Sequence, residues 1–467
     1  MQKNELFPGE ILDYTHDGLG VARFHGRAVF VPQAVRGDSG ILRVVKVSAK
    51  TCYAIWEVLE QPSDFRVPVD CPLFPRCGGC AFRHLRYEEE LRLKAARVEE
   101  TLRRLGGVEK APARIVGAET PPVSWRNKAV YPVGFLNGRA VTGFYRPRSH
   151  DIVPCTRCLQ LPESADRTAA ALRDWLDQTG APVRQLLWRQ AAPPVGAAAG
   201  ELACVASPTS SLPDEEGLVR SLRSANPALQ SIWLDFPPPR SEGHHSENRV
   251  LGGRGRLLWG ADGIDTFAGG NIIRLGPYPF HQVNHARAED LLAAVRAYVT
   301  DADKAGEAPI GQLLDLYCGA GVIGLSLARF AQQIVGVEIV PEAAQAAEQA
   351  AARNGIPNFR VWVGDAGQAA QTLAEQGLRF DAAVVDPPRK GLDPQGLAAL
   401  GTIAPGRIVY VSCDPATLAR DVSLLGQYGY TLTQYTVIDM FPRTANVETV
   451  ALLSKHAPQH YSRYGVE

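Results

Sequence analysis

The first sixty residues alternate between apolar and polar positions. "EILDYTHDGLGVARFHGRAVFVPQAVRGDSGILRVVKVSAKTCYAIWEVLE" holds short runs of this kind between Gly-containing turns. A period of two marks strands with one buried face, and five such runs predict a small β-barrel of the oligonucleotide-binding kind. The period then lengthens. "RYEEELRLKAARVEETLRRLGG" (86–107) puts Leu91, Ala95, Val98, Leu102 and Leu105 on one stripe, with Gly106 as a stop, so a helix with a solvated, mixed-charge outer face is expected. From about 110 to 270, strand-like runs alternate with Pro/Gly-rich breaks such as "AAPPVGAAAGE" and "PPPRSEGHHSENR". His244 and His245 in the second break read as solvated. From about 280 the runs "QLLDLYCGAG", "QIVGVEIV", "FRVWVGDA", "FDAAVVDPP" and "RIVYVSCDP" each end in a polar or Gly-rich turn, with helical stretches between several of them. That order predicts a doubly wound parallel sheet, whose ligands bind at the carboxyl ends of the strands. The expected fold class is multidomain α/β: a barrel over 1–60, an α+β central domain over 61–270 and a Rossmann-like domain over 271–467. The helix at 86–107 is a candidate to pack on the last of these.

Composition narrows the class. A chain of 467 residues exceeds a single hydrophobic core. Its formal net charge is zero, so a nucleic-acid surface would have to be local. The start, "MQKNELFPGE", lacks an apolar core segment, and no apolar run approaches the ~20 residues that span a bilayer. A cytoplasmic protein with no membrane partner is expected. Nine cysteines in that compartment argue for metal binding or catalysis over disulfides.

"LLDLYCGAGVIGLSLA" is a strand, a turn and a helix, in which Gly319 and Gly321 let the backbone bend and approach a ligand. Dinucleotide and methyl-donor enzymes share this turn. The strand ends that follow discriminate: Glu338 is placed to accept hydrogen bonds from ribose hydroxyls, Asp365 to meet an adenine amine, and Asp386 closes the fourth strand. Acidic ends suit a cationic sulfonium better than a pyrophosphate, so S-adenosylmethionine is favoured. A lone carboxylate there could simply cap a helix, a good description of Asp393. "CPLFPRCGGC" supplies Cys71, Cys77 and Cys80, and "HDIVPCTRC" offers Cys155 or Cys158 as a fourth thiolate. Spacing leaves zinc and an iron–sulfur cluster both open.

"YVSCDPATLARD" places Cys413 at a fifth strand end, and "RTANVETVALLSK" places Glu448 at the start of a strand in the same sheet. A thiolate, a carboxylate and a methyl donor together fit methylation of an unactivated pyrimidine carbon. Thiolate attack at uracil C6 makes C5 nucleophilic, and a base must then remove the C5 proton so that the thiol can leave.

These segments, in order, resemble the RNA 5-methyluridine methyltransferases that carry a TRAM domain and an iron–sulfur cluster. "DGLGVARFHGRAVFVPQAVRGD" is similar to TRAM, and "CPLFPRCGGCAFRHL" to the cluster segment. "WRNKAVYPVG" and "GFYRPRSHDIV" resemble the central domain. "FHQVN", "LDLYCGAG", "GVEIV", "DPPRKG", "VSCDPATLARD" and "NVETVALL" resemble the catalytic domain. The resemblance implies a 4Fe–4S cluster on Cys71, Cys77, Cys80 and Cys158, structural rather than redox-active. It implies Cys413 as nucleophile and Glu448 as base. Gln282, Tyr317, Glu338 and Asp386, with Asp365, match positions that contact S-adenosylmethionine or the reacting base. Phe280 is a candidate to stack on a nucleobase, with core packing as the alternative. Arg126 and Lys128, with Arg139, Arg146 and Arg148, offer phosphate contacts. The chain departs from the family at Asp414, where Asn is usual, at Val322, where some members carry a polar cofactor contact, and at Asn446, where His is common. Members with both TRAM and cluster mostly act on large-subunit ribosomal RNA, so 23S ribosomal RNA is the expected substrate, with transfer RNA as the alternative. No obligate protein partner is implied, and a monomer is expected.

Four other readings fit less well. Exocyclic N-methyltransferases carry an aromatic where "DPPR" has Arg389, and need no cysteine. Cytosine C5 enzymes use a Pro-Cys context, and radical S-adenosylmethionine enzymes a C-x3-C-x2-C spacing, both missing here. A non-catalytic RNA-binding protein would have no use for both Cys413 and Glu448.

Overall fold

The computed structural model describes residues 2–194, 196–238, 251, 254–300 and 310–455. His244 and His245 lie outside them. Six strands between Leu6 and Gln61 form the first sheet. That is one more than alternation predicts, because Asp13–Tyr14 is only two residues long and leaves no periodic trace. Phe7, Ile11, Val29, Val31, Leu42 and Val44 fill its interior.

The helix Tyr87–Gly106 leaves this sheet and lies along the helix Pro415–Gly426, with Gly106 against the Ala419 backbone. Val98 and Leu102 enter the core there, whereas Leu105 stays exposed. The polar face is not wholly solvated. Glu90 and Lys94 are buried, because Lys94 Nζ donates to Glu90 Oε1 at 2.8 Å and to Asp439 Oδ1 at 2.6 Å. Asp439, far away in sequence, supplies the second acid that lets the lysine be buried. The next strand, Arg114–Val116, then pairs in parallel with Tyr430–Ile438 at the edge of the C-terminal sheet.

A seven-stranded sheet follows, in the order Ile152–Pro154, Arg139–Tyr145, Lys128–Leu136, Gln185–Gln190, Glu201–Ala206, Leu229–Phe236, Arg254–Gly260. Helices Glu163–Thr179 and Glu215–Ala225 cover one face through Leu172, Trp175, Leu218 and Leu222. Leu187, Leu202 and Cys204, by contrast, join one continuous core with Leu291, Val295 and Leu313 of the C-terminal region.

The C-terminal sheet has eight strands in the order Phe359–Val363, Ala331–Glu338, Ile310–Leu316, Ala382–Val385, Arg407–Ser412, Glu448–Lys455, Tyr430–Ile438, Arg114–Val116. The first five are parallel to one another, but Glu448–Lys455 is antiparallel to both its neighbours, so the sheet is mixed. Strand order reverses between Ile310–Leu316 and Ala382–Val385, which opens a crevice at their carboxyl ends.

Candidate active site

The crevice is a cavity of about 780 Å³, bordered by Gln282, Tyr317, Gly319, Glu338 and Asp386, with Phe280 at its rim. This volume suits a small-molecule cofactor. The turn after Leu316 is built from left-handed residues: Tyr317 at φ 63°, Gly319 at 55° and Gly321 at 78°. The two glycines do different work. A Cβ on Gly319 would meet no atom within 4 Å, so its backbone faces open space. A Cβ on Gly321 would press on Ala347 at 3.0 Å and Phe359 at 3.2 Å, so that glycine serves packing.

Glu338 braces the turn: Gly319 N donates to its Oε2 at 2.9 Å and Val340 N to its Oε1 at 2.8 Å. Each oxygen keeps a lone pair for a further donor. Asp386 is pushed up to about 7 by burial. Asp315, which sequence reading passed over within "LLDLYCGAG", is fully buried beneath the turn. Gly324 N donates to its Oδ2 at 2.9 Å, its Oδ1 has no partner among the described residues, and burial pushes it up to about 7. Asp365 does not line the cavity. Its Oδ1 caps the helix Ala366–Glu375, accepting from Gly367 N at 3.0 Å and Gln368 N at 3.1 Å. Phe280 is 71% exposed, so core packing is not its role.

Cys413 follows the strand Arg407–Ser412. Ser412 pairs with Thr449, so extending the ladder by one step sets Cys413 opposite Glu448. Cys413 is half-buried and Glu448 fully buried. Burial raises the Cys413 thiol, the Glu448 carboxylate adds to this, and the positive charge of the Arg389 guanidinium opposes it. Burial likewise pushes Glu448 well above the carboxylate range; Asp386 acts in the same direction and Arg389 against it. Arg389 is thus a cation shared by the thiol and the carboxyl. Sequence reading treated it only as a missing aromatic, because its partners lie on two other strands. Asp414 is a helix cap: its Oδ1 accepts from Ala416 N and Thr417 N, both at 2.9 Å.

A second cavity, of about 1120 Å³, is bordered by all five candidate ligand cysteines, Cys71, Cys77, Cys80, Cys155 and Cys158, and extends to Asn446. Donors converge on the sulfurs. Gln160 Nε2 donates to Cys80 Sγ at 2.8 Å, Arg83 Nε to the same sulfur at 3.3 Å, and Gly79 N to Cys77 Sγ at 3.4 Å. Burial pushes the Cys158 thiol up to about 12, partly offset by the Gln160 backbone N–H. Among the described residues, no group of three or more His, Cys, Asp or Glu is gathered closely enough to hold one metal ion. Arg126 faces Cys80 and Cys158, and its Nε donates to the Lys128 carbonyl at 2.9 Å. Burial, then Arg189 and Arg126, lower Lys128 to about 8.

A thiol, a buried carboxyl and a cofactor crevice at a strand reversal define a class I methyltransferase site acting on a pyrimidine carbon. Residues 278–456 match the family model for tRNA (Uracil-5-)-methyltransferase. An uncharacterized RNA methyltransferase of Halalkalibacterium halodurans is 35% identical over 97% of this chain and 98% of its own. One from Bacillus cereus is 33% identical with the same coverage. The chain belongs to this RNA methyltransferase family and is an S-adenosylmethionine-dependent RNA (uracil-C5) methyltransferase. Its fold is shared with Pyrococcus abyssi tRNA (uracil-54, C5)-methyltransferase, solved with S-adenosyl-L-homocysteine: TM-score 0.71 at 22% identity, covering 96% of this chain and 99% of the other. Among the described residues no helix is long and apolar enough to cross a membrane.

Proposed function

We propose that the enzyme methylates C5 of a uridine in large-subunit ribosomal RNA through a covalent Cys413–uracil adduct. The observation that carries this reading is the triangle of Cys413, Glu448 and Arg389 at the carboxyl end of the sheet, beside Asp386 of the cofactor crevice. Arg389 stabilises the thiolate of Cys413. The Sγ–C6 bond forms, electrons move onto the uracil O4, and C5 then takes the methyl group as S-adenosylhomocysteine leaves. Glu448, in its carboxylate form, removes the C5 proton, and the enolate re-forms the C5–C6 double bond as the Sγ–C6 bond breaks. A raised pKa makes that carboxylate a stronger base than an exposed one. Gln282, Tyr317, Glu338 and Asp386 hold the cofactor, and Gly319 lets the backbone approach it.

The first sheet is read as the TRAM domain, over residues 1–60; Phe280 stacks on a base, and Arg126 and Lys128 face the RNA. The target uridine must leave its stack to reach Cys413, so the substrate segment is a loop or flexible strand.

Cys71, Cys77, Cys80 and Cys158 hold a 4Fe–4S cluster. The N–H donors aimed at Cys77, Cys80 and Cys158 suit thiolates, whose charge they share. One zinc would need four sulfurs around a single point, whereas a cubane takes each cysteine at a separate iron. The cluster would supply a rigid cross-link between the 71–80 loop and the central sheet. Mapping 5-methyluridine in ribosomal and transfer RNA from cells lacking the gene tests the substrate. Loss of a site in 23S ribosomal RNA is expected; loss from transfer RNA alone would overturn that choice in favour of transfer RNA.

A further inference from the structure

Strands Lys128–Leu136 and Gln185–Gln190 pair antiparallel, and their register sets Lys128 directly opposite Arg189. Residues opposite one another in such a pair share a face, where two like charges repel. Among the described residues no carboxylate relieves them. Arg189 is 2% exposed; its Nη2 donates to the Pro279 carbonyl at 2.6 Å, while among the described residues Nε and Nη1 have no partner. Arg126 adds a third positive charge nearby, but it is turned to the cysteines. The neighbouring His281 is buried and held neutral, at about 3, and brings no acid. An unpaired buried cation is costly to a fold, and among the described residues this pair stays unmatched.

Its position is informative. Lys128 borders both cavities, the one with the cysteines and the one for the cofactor. Arg189 tethers Pro279, and Asn127, the residue before Lys128, donates from Nδ2 to the Gln282 carbonyl at 2.9 Å, so Arg189 and Asn127 together hold the loop that carries Phe280 and Gln282.

We infer that Lys128, in the field of Arg189, is the contact for one backbone phosphate of the RNA as the target nucleotide enters between the two cavities. The inference rests on the RNA-methylating function and adds to it a single anion site and the residue behind it. Lys128 makes the contact and Arg189 is a positioning residue: it supplies uncompensated charge and holds the loop.

The test is RNA binding by the full-length protein with S-adenosylhomocysteine present, across a salt series, for wild type, Lys128→Gln and Lys128→Arg. One phosphate contact to single-stranded RNA contributes about 0.7 to the slope of log affinity against log salt. Lys128→Gln is expected to flatten the slope by about that amount and to weaken binding about tenfold at low salt. Lys128→Arg should keep the wild-type slope. S-adenosylhomocysteine affinity and melting temperature should not fall in Lys128→Gln, since a repulsion is removed. An unchanged slope in Lys128→Gln overturns the inference. So does a selective loss of S-adenosylhomocysteine affinity, which would make Lys128 the partner of the cofactor carboxylate. A wild-type protein that neither binds nor methylates RNA would instead overturn the function on which the inference stands.

Discussion

Asp414→Asn separates two roles that a carboxylate beside Cys413 can play. Its Oδ1 accepts from two amides of the helix Pro415–Gly426, and asparagine caps a helix about as well as aspartate. The substitution removes only the charge at the helix N-terminus, about 0.3–1 kcal/mol. Asp414→Ala also removes both hydrogen bonds, a further loss of about 0.5–2 kcal/mol. In a unit of roughly 150–250 residues each kcal/mol moves the melting temperature by about 2–4 °C. Asparagine should therefore lower it by at most about 4 °C and alanine by clearly more. The Cys413 thiol is raised by burial and Glu448 and lowered by Arg389, so Asp414→Asn should leave the acid limb of the methyl-transfer pH profile in place. The assays are thermal unfolding and initial rates across pH. If asparagine moves that limb to lower pH by about one unit, worth about 1.4 kcal/mol, Asp414 tunes the thiol and the cap argument fails.

Other substitutions probe the remaining parts. Arg389→Gln removes the cation that lowers both Cys413 and Glu448, so the acid limb should shift to higher pH and the maximal rate should drop; an unmoved limb would exclude Arg389 from thiolate stabilisation. Lys94→Met takes the shared cation from the buried carboxyls of Glu90 and Asp439, leaving Glu90 to Arg443 and Asp439 to the Tyr87 hydroxyl, and should destabilise the protein by about 3 kcal/mol in denaturant unfolding. A change below about 1 kcal/mol would mean that water reaches the pair. Cys158→Ala should lower the iron content of purified protein and bleach its visible absorption, while Cys155→Ala should leave both intact; the reverse would exchange the fourth ligand.

Much of the site was legible because its residues fall at strand ends, where chain order and spatial order coincide. The turn at Gly319 and Gly321, the carboxylate at Glu338 and the Cys413 strand end are of this kind. Asp365 looked the same in sequence, yet caps its own helix, since a strand end that starts a helix offers both roles. Arg389 carried no local signal, because its meaning comes from a thiol and a carboxyl on other strands. The helix 86–107 misled for a related reason. Periodicity counts every charge as solvated, and only Asp439, 345 residues beyond Lys94, makes burial of that lysine tolerable. The Lys128–Arg189 pair was equally hidden, since strand register is a tertiary property.

The covalent mechanism can be tested most directly with Glu448→Gln. This variant should still form the Cys413–C6 bond and transfer the methyl group, but without a base for the C5 proton it should halt there. Incubation with substrate RNA and S-adenosylmethionine is expected to yield a denaturation-resistant protein–RNA complex, with mass spectrometry placing the methylated nucleotide on Cys413. A Glu448→Gln protein that turns over at the wild-type rate, or a complex linked through any residue but Cys413, would contradict the account.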